Sequence, residues 1–131
     1  MNLTKFHALC SRQYKYNTAV KAITECLISN AVSTSLPGGV SYAEMCSTYV
    51  SQYAGISRWS VRQAWDDTHQ AIGWSEIPHY AAMKLDIPIR PLISSQRYGK
   101  HILIKSDTID SLRDMLGFQN NSNHSAGIAI P

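Results

Sequence analysis

Charge is scarce in this chain: 16% of its 131 residues are Asp, Glu, Lys or Arg, against 44% hydrophobic residues. That balance argues against a disordered chain and predicts a folded, soluble protein with a hydrophobic core. No apolar run approaches the length that crosses a bilayer, so no membrane association is expected. The first residues, with Lys5, His7 and Arg12 along an amphipathic pattern, lack the continuous apolar core of a signal peptide. A cytoplasmic location is the expectation. Cysteine is sparse as well. Cys10, Cys26 and Cys46 are an odd count without Cys-x-x-Cys spacing, which fits small buried hydrophobes on helices in a reducing compartment. The five histidines are scattered and none has a partner at metal-ligand spacing, so no metal is expected. There is neither a glycine-rich phosphate loop nor a Ser/His/Asp order in a recognisable context, so no catalytic residue and no cofactor is expected. Asp66-Asp67 is a carboxylate pair, but adjacent residues of a helix point apart, which reads as a solvated face.

What the chain does have is helical periodicity. Leu3, Phe6, Leu9, Cys10 and Tyr14 share a stripe over residues 3–16. Asn17-Thr18 can cap a second helix whose apolar face is Val20, Ile23, Leu27 and Ala31, and the two segments read equally as one bent helix or two. Both suit a core scaffold. Residues 33–39 form a loop by composition, because Pro37 fixes φ and Gly38-Gly39 permit positive φ. Ser41, with Glu44 three residues on, has the pattern of a capping box and predicts a helix that turns Tyr42, Met45, Tyr49 and Val50 inward.

Gly55 suits a left-handed turn, Ile56 the corner between two helices, and Ser57 the cap of a helix that runs to about Ile72 and stops at Gly73. Val61, Ala64, Trp65, Thr68 and Ile72 form its inward stripe, while Ser57, Arg58, Ser60, Arg62, Gln63 and Asp66 are left outside. Trp59 falls between the two faces. Further on, residues 87–93 and 101–104 are rich in β-branched residues and flank the polar turn 94–100, which predicts a hairpin with Arg97 and Lys100 in its loop. Ser106 caps a last helix with Ile109, Leu112, Met115 and Leu116 on its apolar face, ended by Gly117. Residues 118–131 read as a disordered tail.

The formal net charge of +3 permits nucleic-acid binding, and Arg58, Arg62, Arg90, Arg97, Lys100 and Lys105 cluster in the central and later segments. A turn at glycine, a serine cap and then a helix with basic and hydroxyl side chains is how the second half of a helix-turn-helix looks. The run Ser57-Arg58-Trp59-Ser60-Val61-Arg62-Gln63-Ala64-Trp65, preceded by Gly55-Ile56, resembles the recognition helix of GntR-type winged-helix regulators. The resemblance spans roughly residues 20–74 and includes the order helix, Pro37-Gly38 loop and capped second helix. It implies a mainly α fold with a small β-hairpin: a winged helix-turn-helix domain over residues 1–117, with extra N-terminal and C-terminal helices. Its helix-turn-helix would be 41–73 and its wing 87–105. It implies that Ser57, Arg58, Trp59, Ser60, Arg62 and Gln63, with Arg97 and Lys100 from the wing, meet double-stranded DNA. A chain of this length has no room for the family's large ligand-binding domain, so metabolite sensing is not carried over.

The expected function is therefore a small sequence-specific transcriptional regulator. One such module reads few bases, so a homodimer on a palindromic site is expected, joined through the N-terminal helices or the 106–117 helix. Two alternatives stand beside it. The domain could be a protein-binding inhibitor or adaptor of a phage or plasmid, given aromatics such as Trp59 and Trp74 that suit an interface. It could also bind a replication or partition origin of a mobile element.

Overall fold

The computed structural model describes residues 1–87 and 99–117. Its elements, in order, are helix Leu3–Cys10 (α1), helix Tyr14–Asn30 (α2), strand Val32–Ser33 (β1), strand Val40–Met45 (β2), helix Ser47–Ala54 (α3), helix Arg58–Ile72 (α4), strand Ser75–Ile77 (β3), a single turn His79–Ala82 (α5), strand Lys100–Lys105 (β4) and helix Ser106–Leu116 (α6). The chain is thus mainly helical, with one small antiparallel sheet in the order β1-β2-β4-β3.

The first two helices are separate. The Asn2 side chain caps α1 by accepting from the Lys5 N–H at 3.0 Å, and Gln13 is extended before α2 begins at Tyr14. Asn17 and Thr18 therefore lie inside α2 and do not cap it. The Thr18 hydroxyl donates back to the Tyr14 carbonyl instead. α2 buries far more than one stripe: Ala19, Val20, Ala22, Ile23, Thr24, Cys26, Leu27 and Ile28 are all inaccessible. An arc that wide belongs to a helix surrounded on several sides. α2 does pack against α1, α3, α4, α6 and β2, so it is the axis of the core.

The segment after Gly38-Gly39 departs most from expectation. Val40–Met45, expected to begin the first helix of the pair, is a strand. All six of its residues pair with β4, from Val40 opposite Lys105 to Met45 opposite Lys100, and Val32-Ser33 add a short outer partner. The capping-box residues are used otherwise. The Ser41 hydroxyl bonds that of Ser106 at 2.7 Å, and the Glu44 carboxylate accepts from the Tyr42 hydroxyl at 2.8 Å. The helix starts six residues later, at Ser47, behind Cys46 as its cap. Cys46 is thus a cap rather than a helical residue, its sulfur accepting from the Tyr49 N–H at 3.3 Å. Cys10 and Cys26 do lie on helices, and all three cysteines are free thiols. Burial pushes the Cys26 thiol up to about 12.

β4 covers the expected second strand of the hairpin, but it is a central strand. β2 lies along one edge, and β3 along the other through Ser75–Leu103, Glu76–Ile102 and Ile77–His101. The strand that follows α4 is therefore 75–77, a segment too short and too polar to announce itself by alternation. The expected strand over 87–93 and most of its loop, like the expected tail, lie outside the described residues. In α6, Lys105 occupies the cap position and Ser106 is the first helical residue, so the expected serine cap is absent. Gly117 ends that helix in the left-handed region, as its position suggested.

Candidate nucleic-acid interface

The centre of interest is the turn that joins α3 to α4. Gly55 sits at φ 66°, a conformation that costs an L-residue roughly 1–2 kcal/mol. The Ile56 N–H returns to the Ser51 carbonyl at 3.2 Å, closing the corner. Ser57 then caps α4, its hydroxyl oxygen accepting from the Ser60 N–H at 3.1 Å. At the other end Gly73 takes φ 84° and its N–H meets the His69 carbonyl at 2.8 Å.

Val61, Ala64, Thr68, Ala71 and Ile72 bury one side of α4 against the core. Each residue turns a helix by about 100°, so the line opposite that stripe carries Trp59 and Asp66. Trp59 is therefore not between two faces. It stands at the outermost line and is 67% exposed, whereas Trp74 is packed inside at 3%. The other expected contact residues divide to either side of this line. Arg58 and Arg62, one turn apart, lie on one flank; Ser60 and Gln63 lie on the other. Arg58 and Arg62 are exposed, and neither side chain has a hydrogen bond or ion pair among the described residues.

Each flank borders a cleft. On the Arg62 side, Ser47 of α3, Arg62 and Trp65 of α4 and Lys100 of β4 line one concavity. Two expected contact residues from distant parts of the sequence, Arg62 and Lys100, are thereby brought together beside the first turn of α3. On the other side a groove runs between the α1–α2 corner and the start of α4, lined by residues 12–16 and by Trp59, Ser60 and Gln63. Arg97 lies outside the described residues.

Lys100 is held by a polar knot that the sequence did not suggest. The Glu76 carboxylate accepts from the Trp65 indole N–H at 2.8 Å and from the Trp74 indole N–H at 3.1 Å. It also lies 3.6 Å from His69 Nδ1 and 3.8 Å from Lys100 Nζ. The two indoles meet edge to face with centroids 5.6 Å apart, and His69 stacks on Trp74 at 4.9 Å. This cluster ties β3 to α4 and so sets where β4 begins relative to the helix. Trp65 is half-buried, turned to the flank rather than fully into the stripe expected for it.

The α1–α2 corner is fixed to α4 by a second knot. Tyr16 donates its hydroxyl to Asp67, Arg12 lies 4.2 Å over the Tyr16 ring, and an Arg12 nitrogen is 3.8 Å from Asp67. Burial, and then the bond to Asp67, push the Tyr16 phenol up to about 12; burial and the bond to Glu25 do the same for Tyr53. Both folded values lie above the ordinary 10.0. Their contribution is thus fully present below pH 10 and disappears as the pH rises through about 12. Stability measured by urea unfolding should therefore fall across that window, and less so in a Tyr16→Phe/Tyr53→Phe variant. An equal fall in both proteins would remove the phenols as its cause.

A further buried chain went unrecognised in the sequence. Tyr42 and Glu44 project from the same face of β2, and Glu44 pairs with His101 of β4. Tyr42 donates to Glu44 at 2.8 Å and lies 2.8 Å from His101 Nδ1, whose Nε2 lies 3.1 Å from His79 Nδ1. Tyr42, Glu44 and His101 are all buried. The signal was there as strand alternation of Tyr42 and Glu44, but it was masked by the fit of Ser41 and Glu44 to a capping box. Among the described residues no group of three or more His, Cys, Asp or Glu is placed to hold a metal, and no helix is long and apolar enough to cross a membrane.

No family model matches the chain, and no curated protein or solved structure does either.

Proposed function

We propose that this chain is a winged helix-turn-helix domain of GntR-like type that binds double-stranded DNA sequence-specifically through the start of α4. The observation that carries this is the pair Arg58 and Arg62. They stand one turn apart on the exposed flank of a serine-capped helix, neither is neutralised by a neighbour among the described residues, and Arg62 shares a cleft with Lys100. Free guanidinium groups at the start of such a helix can take guanine O6 and N7 with two hydrogen bonds each. Gln63 could address adenine on the other flank, Ser60 suits a phosphate, and Lys100 suits the backbone. Ser57 contributes mainly by capping, since its oxygen is already used within the first turn.

Element order supports the fold assignment: after α2 come the short β1 and then β2, two helices joined by a tight turn, and two antiparallel strands, β3 and β4, with the single turn α5 between them. In this reading β3 and β4 are the strands of the wing. The helix-turn-helix is 47–72, shorter than first expected by the strand β2. The function extends to a cytoplasmic homodimer acting as a small transcriptional regulator. The apolar faces expected to join its halves, Phe6 and Leu9 of α1 and Ile109 and Leu112 of α6, are already buried within one chain. Dimerisation would accordingly use other surface.

Selection from random and genomic duplex fragments at low salt, followed by sequencing, tests this. Enrichment of a common motif, with half-sites about one helical turn apart, is the expected result. Failure to enrich any fragment would reject DNA reading and favour the second function, a protein-binding adaptor. The exposed Trp59 is the observation in favour of that alternative.

A further inference from the structure

We infer that the groove between the α1–α2 corner and α4 is a second nucleic-acid site, which takes unpaired nucleotides of a single strand. The groove lies on the other flank of α4 from the Arg62–Lys100 cleft. It is bounded by two exposed rings, Trp59 at 67% and Tyr14 at 79%. Beyond Tyr14 it continues as a shallow surface lined by Lys21 and Tyr53, whose ring is also exposed. Three of the four exposed aromatic rings among the described residues, Tyr80 being the fourth, lie along this track and offer π-faces for stacking.

The charge along the track selects the occupant. Lys15 and Lys21 are exposed and have no ion pair among the described residues. Of the carboxylates nearby, Asp67 is paired with Arg12, while Glu25 accepts from the neutral Tyr53 hydroxyl at 2.8 Å, so Lys15 and Lys21 outnumber the one carboxylate that has no cationic partner among the described residues. A polyanion with flat, stackable groups matches this surface, and Gln13 at the groove wall can hydrogen-bond base edges. A stacked duplex hides its base faces, so the rings are of use only to unpaired bases. Because Trp59 and Gln63 belong to α4, the strand would leave the duplex site directly into this groove. That arrangement suits a junction of double and single strand.

The test uses the full chain, fluorescein-labelled dT12 as the single strand and a 20-base-pair duplex measured separately. Trp59 is the exposed one of the three tryptophans, so dT12 should quench intrinsic fluorescence in the wild type and not in Trp59→Phe. By anisotropy, Tyr14→Ala should weaken dT12 binding about tenfold, the effect of losing one stacked base. Lys15→Ala should lower the slope of log K against log salt by about 0.7. Lys84→Ala, outside both clefts, should change neither. Far-ultraviolet circular dichroism confirms the fold of each variant, and Tyr14 is too exposed for its loss to unfold the chain. The proposal is overturned if dT12 causes no quenching, or if Tyr14→Ala binds it as the wild type does. It is equally overturned if sedimentation shows Trp59 covered by a second copy in a dimer that Tyr14→Ala dissociates. A protein that binds dT12 but no duplex keeps this site and loses the duplex function, and the reverse result does the opposite.

Discussion

Replacing both Arg58 and Arg62 with alanine is expected to abolish sequence-selective duplex binding while leaving the fold unchanged. Each bidentate arginine–guanine contact is worth about 1–3 kcal/mol of discrimination, so the pair together would bring selective affinity close to the non-specific level. The fold should tolerate the change because both side chains are exposed and hold nothing else in place; substitutions of that kind usually stay within about 0.5 kcal/mol. Lys100→Ala acts differently. It removes a cation from the rim of the same cleft, and the expected sign is a slope of log K against log salt shallower by about 0.9 with little change in preferred sequence. Competition assays with the selected motif and a scrambled duplex separate the two effects. Retained preference for the motif in the double variant would remove α4 as the reading element.

The second large effect is expected at Glu76. Its carboxylate is the common acceptor for two indole N–H groups, one of them on the buried Trp74. Glu76→Ala leaves that N–H inside the protein without an acceptor, a loss of about 1–3 kcal/mol. It also releases Lys100 and His69, which lie within 4 Å of the carboxylate. Glu76→Gln keeps an acceptor oxygen for the indoles but no charge for Lys100. It should recover most of the stability and little of the Lys100 contribution to duplex binding. Denaturant unfolding followed through tryptophan fluorescence reports the first quantity, and the salt slope reports the second. Equal stability of wild type and Glu76→Ala would show that the indoles find other partners and that the knot is incidental.

Expectation and structure agree where the determinants are local. The bounds of α4 were legible, because Ser57, Gly55 and Gly73 act on backbone groups within a few residues and the apolar spacing repeats at 3.6; the places of Trp59 and Trp65 on it were not. The expectation failed at Val40–Met45, where the same local logic pointed to a helix. The capping-box pattern there could be satisfied locally, but six cross-strand pairs with β4 were available some sixty residues away in sequence. Pairing of that range is invisible to any window of neighbours, and burial of five of the six residues on both sheet faces outweighed the cap. β3 went unrecognised for a related reason: three residues carry too little alternation, and their assignment as a strand depends on the free edge that β4 offers.

The candidate site divides the same way. By itself the sequence determined which residues cap and turn α4 and most of those that bury it, Trp65 and Trp59 excepted, and hence that Arg58, Arg62 and Gln63 face outward, since helical geometry assigns an orientation to every position. Only the tertiary structure decided what stands beside them. Arg62 and Lys100 line one cleft, beside the Glu76–Lys100 pair that ties β3 to β4, and Trp59 and Tyr14 line the other, where the Tyr16–Asp67 contact holds the α1–α2 corner to α4. Those neighbours come from elements separated by tens of residues, and it is packing around α2, not local propensity, that brings them to the two sides of one helix.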